Sequence, residues 1–528
     1  MFLREINNKG RKYLTIVESY RSKGKIKQRS IASLGRLDKL QDSEQLRRIA
    51  VSLLNYCKNN KSHFDISKLE EKSRKVWGSP KVIRKIWDNL MMDELFSKII
   101  KDKKIRFDFF SAVFLMVLDR LCYPSSKLRS YKEQRRYYGI SDNKLHNLYR
   151  ALDILSDKKE DIERHLFDRN KNLFNTKVDI VFYDITTLYF ESFKRDGLRE
   201  FGYSKDGKNK EVQIVLGLVT DQYGIPIGYD LFPGNTFEGS TITKILEGLR
   251  DRFEIGKLIF VGDSAMLSEK NLANISNLGY EYIIGSRIKN KPEKIKKEIL
   301  NDEGYIIANG KDDEVFKYKE MEINEGRRLI IGFSSKRAMK DKKDRDKLIE
   351  KAKEIIKKSS VIISKRGAAR YIKVEFYNGK EIDENRIKED ERWDGYYAIE
   401  TNSKQLQPLD IFRAYHNLWK IEEGFRILKS HIETRPIFHW TNKRIRGHIA
   451  LCFISFLIER IMELELSKNN IEYSPYKIRK ALNELQFSEI EIEGQRFYVR
   501  SKVEDLAAKI LRIFKIKIPP NITSPDMF

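Results

Sequence analysis

KLIFVGDSAMLSEKNLANISNLGYEYIIGSRI, residues 257–288, reads as strand, helix, strand. The apolar run Leu258–Val261 ends at Gly262 and Asp263, and small and polar residues follow. SEKNLANISNLGY (268–280) has helical spacing and stops at Gly279, a residue suited to the left-handed backbone of a helix end. YEYIIGSRI (280–288) is a second strand. A helix between two strands is a crossover unit, and such units build parallel pairs within a sheet. Asp263 stands where the first strand meets its loop. It either caps the next helix or belongs to a set of acids spread along the chain.

Upstream, KVDIVFYDITTLYFES (177–192) is a β-branched and aromatic run. EVQIVLGLVTDQYGIPIGYDLF (211–232) holds two strands around the turn Asp-Gln-Tyr-Gly, and STITKILEGLRDRF (240–253) is a helix with Ser/Thr cap candidates. The order β-β-β-α-β-α-β predicts a mixed sheet covered by helices, an α/β core in a chain that is α+β overall. Around it the composition changes. Residues 1–56 begin with a basic, strand-rich segment (eleven Lys/Arg and three acids in 1–40) and a polar link, with a joint expected near 57–75. Residues 57–175 read as mainly helical, as in FDFFSAVFLMVLDRLCY (107–123). The core is split into 176–288 and 403–466. Between them, 289–402 is a charged, strand-rich insertion with one basic helix candidate at 339–358, and 467–528 is a small mixed module.

The 528 residues carry 103 Lys plus Arg against 77 acids, a net charge of +26. That surplus points to a polyanionic partner, nucleic acid or an anionic membrane. The most apolar run, IALCFISFLI (449–458), has half the length needed to span a bilayer, and the start MFLREINNKGRK lacks the apolar stretch of a signal peptide. Cys57, Cys122 and Cys452 are scattered and odd in number, which fits a reducing cytoplasm. The expected partner is nucleic acid met inside the cell.

Asp184 interrupts an apolar strand, FYDITTLYFES, with no basic neighbour in sequence. A buried carboxylate in that setting is neutralised, paired or bound to a metal. If the strands of Asp184 and Asp263 are neighbours, both acids reach one rim of the sheet, where α/β folds gather their chemistry. A third acid is expected from AYHNLWKIEEGFRILKSHIE (414–433). Leu418, Ile421, Phe425, Leu428 and Ile432 form one stripe there, and Tyr415, Glu422 and Lys429, seven apart, share a second face. Glu422 is the best-placed carboxylate, with Glu423 pointing further into solvent. The plain alternative is an i,i+4 ion pair of Glu422 with Arg426. Three oxygen-only acids without Cys or His suit Mg²⁺ or Mn²⁺, and two such ions can stabilise an in-line displacement at phosphorus.

Other signals are weaker. GYSKDGKN (202–209) resembles a phosphate-binding loop but ends in Asn and leads into a strand, so it reads as a basic turn. Asp230 is a reserve acid, more simply structural. Arg446 and His448 read as the start of a core helix.

The pieces FYDITTLYFE, PGNTFEGST (233–241), VGDSAMLS, WDGYYAIETN (393–402) and YHNLWKIEEGFRILK (415–429), in this order, resemble a DDE-type insertion-sequence transposase with a retroviral-integrase-like (RNase H-like) core. The last piece is similar to the signature Tyr-x2-Arg-x3-Glu-x6-Lys, with Leu418 at the Arg position. The resemblance implies a five-stranded mixed sheet flanked by helices and interrupted by an insertion. It implies that Asp184, Asp263 and Glu422 bind two Mg²⁺ or Mn²⁺ ions, cut DNA at inverted terminal repeats and join 3′-hydroxyl ends to target DNA. Tyr415 and Lys429 would hold phosphates, Lys420 or Arg426 would replace the missing Arg, and Tyr397 or Trp393 would stack on a displaced base. Residues 1–40 and the helices after them would grip double-stranded DNA, as a homodimer in the cytoplasm at the nucleoid. Two further readings stay open: a nuclease of the same fold without strand transfer, and a retired transposase that only binds DNA.

Overall fold

The structure is a computed structural model. It describes residues 1–22, 25–42, 45–56, 69–101, 104–174, 180–253, 258–264, 268–309, 315–324, 326–357, 366–375, 379–492 and 495–524. The tip of the expected Ser-Lys-Gly-Lys turn, most of the expected joint at 57–75, Cys57 and the strand start at 177–179 lie outside the described residues. The chain divides into two compact units, residues 1–74 with 488–499 and 521–528, and residues 75–487 with 500–520.

The first unit opens with β1 (Phe2–Asn8), β2 (Arg11–Ser22) and β3 (Lys25–Arg36), an antiparallel sheet in that order. Helices α1 (Leu37–Asp42) and α2 (Gln45–Tyr56) follow, then β4 (Glu70–Val76). In the second unit, helices α3 (Gly78–Asn89), α4 (Met92–Ile100), α5 (Phe109–Cys122), α6 (Lys127–Glu133), α7 (Leu145–Asp157) and α8 (Lys159–Phe174) precede the large sheet. Asp108 caps α5 by accepting a hydrogen bond from the Ser111 amide.

The sheet begins as β5 (Ile180–Tyr189), β6 (Gln213–Asp221), β7 (Pro226–Pro233), α9 (Ile242–Phe253), β8 (Ile259–Gly262), α10 (Glu269–Asn277) and β9 (Glu281–Ser286). Spatially these strands run β7-β6-β5-β8-β9. β6 is antiparallel to both neighbours, while β8 is parallel to β5 and to β9. This is the five-stranded, mixed, RNase H-like sheet expected above. It does not stop at β9. After α11 (Glu293–Leu300) come β10 (Ile306–Asn309), β11 (Val315–Asn324) and β12 (Arg327–Ser334). Then follow α12 (Ser335–Ile356), the hairpin β13 (Ile372–Glu375) with β14 (Gly379–Ile382), α13 (Glu384–Glu391) and β15 (Tyr396–Thr401). β15 pairs antiparallel with β9, and β12, β11 and β10 continue outward. Among the described residues the sheet thus has nine strands, because β9 offers an open edge whose backbone groups need partners.

The two faces of the sheet are covered differently. Val181, Tyr183 and Ile185 of β5, Phe260 of β8 and Tyr282 and Ile284 of β9 pack with α8, α9 and α10 in one buried cluster. Strand alternation turns Phe182, Asp184 and Thr186 to the opposite face. That face meets α14 (Pro408–His416), α15 (Trp419–Ser430) and α16 (Asn442–Lys468). The helical spacing read over 414–433 breaks at Asn417–Leu418, and the chain is again non-helical over 431–441. α16 contains IALCFISFLI and is buried along most of its length, packing on α3, α5, α7, α15 and β7. It is a core helix. Among the described residues no helix is long and apolar enough to cross a membrane. Helices α17 (Pro475–Asn483) and α18 (Asp505–Ile513) complete this unit. The C-terminal strands β16 (Gln486–Ile492), β17 (Gln495–Arg500) and β18 (Ile522–Thr523) form a second sheet with β4, in the order β18-β17-β16-β4.

Close packing of α16 on α7 depends on Gly447. A Cβ there would run into the carbonyl oxygen of Leu152, a backbone atom that cannot turn aside. Gly447→Ala is expected to destabilise the second unit by about 1–3 kcal/mol, read as a lower thermal unfolding midpoint. An unchanged midpoint would show that the two helices can separate at no cost.

Candidate active site

β5 and β8 pair in parallel with Ile180 opposite Ile259, Val181 opposite Phe260 and Phe182 opposite Val261. Two residues further, the same register sets Asp184 abreast of Asp263, the residue after β8. β8 and β9 pair with Val261 opposite Ile283 and Gly262 opposite Ile284, so Gly285 continues that rung. Asp184 of β5, Asp263 just past β8 and Gly285 of β9 therefore follow one another across three adjacent strand positions, with neighbouring strands about 4.8 Å apart. All three belong to the face under α14 and α15. Both aspartates are partly buried.

Gly285 makes room for Tyr415. A Cβ at 285 would meet the Tyr415 hydroxyl, which comes from the last turn of α14. Burial raises the Tyr415 pKa, the negative charges of Asp263 and Glu422 raise it further, and Arg337 opposes them. The phenol thus lies in the field of two of the three expected acids. Tyr415 reaches this place from α14 and not from the Glu422 helix, because the chain turns at Asn417–Leu418. The shared face expected for Tyr415, Glu422 and Lys429 holds only for the last two.

Glu422 stands in the first turn of α15, which packs on β5 and β6. It is exposed, and its expected alternative, an ion pair with Arg426, is not formed among the described residues. Glu423 does not point furthest into solvent. Its Oε2 lies 3.5 Å from Arg460 Nη1 of α16, and its side chain is 33% exposed. The two adjacent glutamates are thereby separated, one held to the helix layer and one left open.

The remaining expected contacts divide. Lys429 donates to both oxygens of Asp206, at 3.0 and 3.1 Å, and burial lowers its pKa against that partner. Arg435 Nε also reaches Asp206, at 3.0 Å. Lys420, expected to replace the signature Arg, has a partner within the protein. Its ammonium donates to the Gln222 carbonyl at 2.8 Å in the β6–β7 turn, where burial lowers its pKa. Arg426 is exposed. Trp393 is corrected as a base-stacking aromatic, being buried with Ile288, Leu329, Ile331 and Ala398. Tyr397 of β15 is half-buried, with the Arg337 guanidinium 4.9 Å above its ring and Phe412 edge-on at 5.4 Å. Asp230, the reserve acid, is absorbed in an ion-pair cluster with Lys159, Arg252 and the fully buried Glu163.

Sequence reasoning missed Lys205 and Asp206. They lie in GYSKDGKN, read above as a basic turn. Lys205 Nζ is 3.7 Å from Asp184 Oδ1 and donates to the Ile185 carbonyl at 2.8 Å. Its amide donates to Thr187 Oγ1 at 3.1 Å. Arg337, two residues before the basic helix candidate of 339–358 and in the first turn of α12, was missed as well. The adjacent charges of Lys205-Asp206 were a visible signal, but their partners are distant in sequence.

A model of the transposase DDE domain matches residues 176–458, more than half of the chain. The chain belongs to the DDE transposases. A model of the N-terminal domain of IS1634 family transposases matches residues 3–62, which makes it an insertion-sequence transposase. No curated protein matches. Among solved structures, a piggyBac transposase synaptic complex with hairpin DNA is 10% identical over 85% of each chain, with a TM-score of 0.37. A Mos1 mariner paired-end complex with Mn is 15% identical, covering 36% of this chain and 66% of that one, with a TM-score of 0.15.

DDE transposases generally use divalent metal ions. The all-oxygen donor set of Asp184, Asp263 and Glu422 fits a hard cation such as Mg²⁺ or Mn²⁺. Among the described residues no three His, Cys, Asp or Glu side chains already converge into a cation cage.

Asp206 ties the Glu422 helix to the loop beside Asp184, and the tie depends on charge. Asp206→Asn leaves the mostly buried Lys429 without its counter-charge and is expected to cost about 1–3 kcal/mol. Adding Lys429→Met should recover part of that loss in a double-mutant cycle of thermal unfolding. Additive losses would show that the two side chains do not act as a pair.

Proposed function

We propose that this transposase cuts DNA at the inverted terminal repeats of its element and joins the freed 3′-hydroxyls to target DNA, using Asp184, Asp263 and Glu422 as the carboxylates of the site. The observation that supports it most is the parallel β5–β8 register, which, continued by two residues, brings the two aspartates abreast on the face that meets the helix bearing Glu422. Side chains from two strands and one helix then face a single phosphodiester. Two divalent ions held by these oxygens would supply charge stabilisation at the attacking and leaving oxygens of the displacement.

The rest of the chain positions the substrate. Its net charge of +26 favours the polyanionic backbone. Tyr415, wedged over Gly285, keeps a hydroxyl donor beside Asp263. Arg337 brings a cation to the same side from α12. Lys429 braces the Glu422 helix, and any phosphate contact it makes competes with Asp206. The basic strands β1–β3 and the helices of 80–174 grip the terminal repeat. Joining two ends requires two sites, so the protein acts as a homodimer on DNA, at the nucleoid.

The test uses the purified full-length chain with Mg²⁺ or Mn²⁺ and a duplex carrying the element's terminal repeats and flanking DNA. Asp184→Asn, Asp263→Asn and Glu422→Gln should each abolish cleavage while leaving the gel shift of the terminal duplex unchanged. Wild-type protein that binds these ends and never cuts them would sink the reading in favour of a DNA-binding relic. Cleavage without joining of a pre-cut end to a second duplex would favour a nuclease.

A further inference from the structure

The loop between β5 and β6 carries a cation to the first aspartate, and it is built to keep that cation there. Ser204 is its hub. The Ser204 hydroxyl accepts from the amides of Asp206, at 3.3 Å, and Lys208, at 3.1 Å. The Ser204 amide donates to Asn209 Oδ1 at 3.2 Å. Gln213 Nε2 holds the Tyr203 carbonyl at 2.9 Å, and the Lys205 amide is fixed to Thr187. Gly207, at φ +73, closes the turn in a conformation that other residues adopt only with strain. On the far side, Asp206 is clamped by Lys429 and Arg435. The loop backbone is therefore anchored at both ends. The Lys205 side chain extends from this pinned backbone, and its ammonium lies against Asp184 Oδ1 and the Ile185 carbonyl.

A hard divalent ion coordinated by Asp184 needs the same carboxylate oxygens. It also places two like charges within a few ångströms of each other, which low-dielectric surroundings make costly. We propose that Lys205 and the divalent ion are alternative counter-cations for Asp184, so that ion binding requires the ammonium to leave the carboxylate. Because the loop backbone is pinned, the displaced ammonium stays within a side chain's length of the site. A phosphate there gives Lys205 a new partner, and ion loading and DNA binding then favour each other through one lysine. Lys205 is a positioning residue in this scheme, and no covalent step passes through it. The inference rests on Asp184 being an ion ligand, as proposed above.

The test is calorimetric titration of Mn²⁺ into the full-length protein without DNA. Lys205→Met should bind Mn²⁺ about tenfold more tightly than wild type at the site that Asp184→Asn removes. Lys205→Arg, which keeps the charge, should bind as wild type does. Lys205→Gln keeps the reach and a donor for the Ile185 carbonyl, and serves if the methionine variant folds poorly. If the folded Met or Gln variant binds Mn²⁺ no more tightly than wild type, or the Arg variant gains as much as they do, the competition is refuted. If Asp184→Asn leaves Mn²⁺ binding intact, the assignment of Asp184 as an ion ligand fails first, and this inference with it.

Discussion

Parallel pairing between β5 and β8 underlies the candidate site, because its register, continued by two residues, sets two carboxylates side by side on the sheet face that meets α14 and α15. Like charges that close, partly removed from water, oppose folding unless cations or donors offset them. The surrounding structure can be understood as the response to that cost. Lys205 approaches Asp184, Tyr415 lies beside Asp263, and Arg337 contributes positive potential from the insertion. A glycine on the third strand of the rung leaves the space in which the phenol sits.

The second dependence is mechanical. Glu422 rides on α15, and α15 is fixed at several points along its length. Ile421, Phe425 and Leu428 pack inward, Glu423 holds to α16, Lys420 to the β6–β7 turn, and Lys429 to Asp206. These contacts leave Glu422 as the acidic side chain of the helix with no ion pair among the described residues. The neutralising partners of α15 go to the helix frame, and Glu422 receives none among the described residues.

Much of the core was legible in the residues. The run at 180–189, the two strands around Asp-Gln-Tyr-Gly and the crossover at 258–286 each carry a local period that only one element type satisfies. Their order restricts the sheet to few topologies, so Asp184 and Asp263 could be expected at one rim. The N-terminal segment was visible from its alternation and charge. What misled was continuity. Residues 414–433 have unbroken helical spacing, yet the chain turns at Asn417–Leu418, so Tyr415 and Glu422 lie on separate helices. Lys420 looked available for DNA, yet its ammonium donates to the Gln222 carbonyl. Trp393 looked like a platform for a base, yet β12 and β15 close over it as they join the sheet.

By itself the sequence determined the kinds of elements, their order, the polyanionic character of the partner and the presence of acids where strands end. Each of these follows from periodicity, composition or turn chemistry within a short window. Only the tertiary structure decided that four more strands extend the sheet beyond β9, that Glu422 and Glu423 part company, and that Lys205-Asp206 bridges the first aspartate to the Glu422 helix. A period records which face of a segment avoids water. It does not record which distant segment supplies the matching charge, because that choice is made when the strands pair and the helices settle on them together.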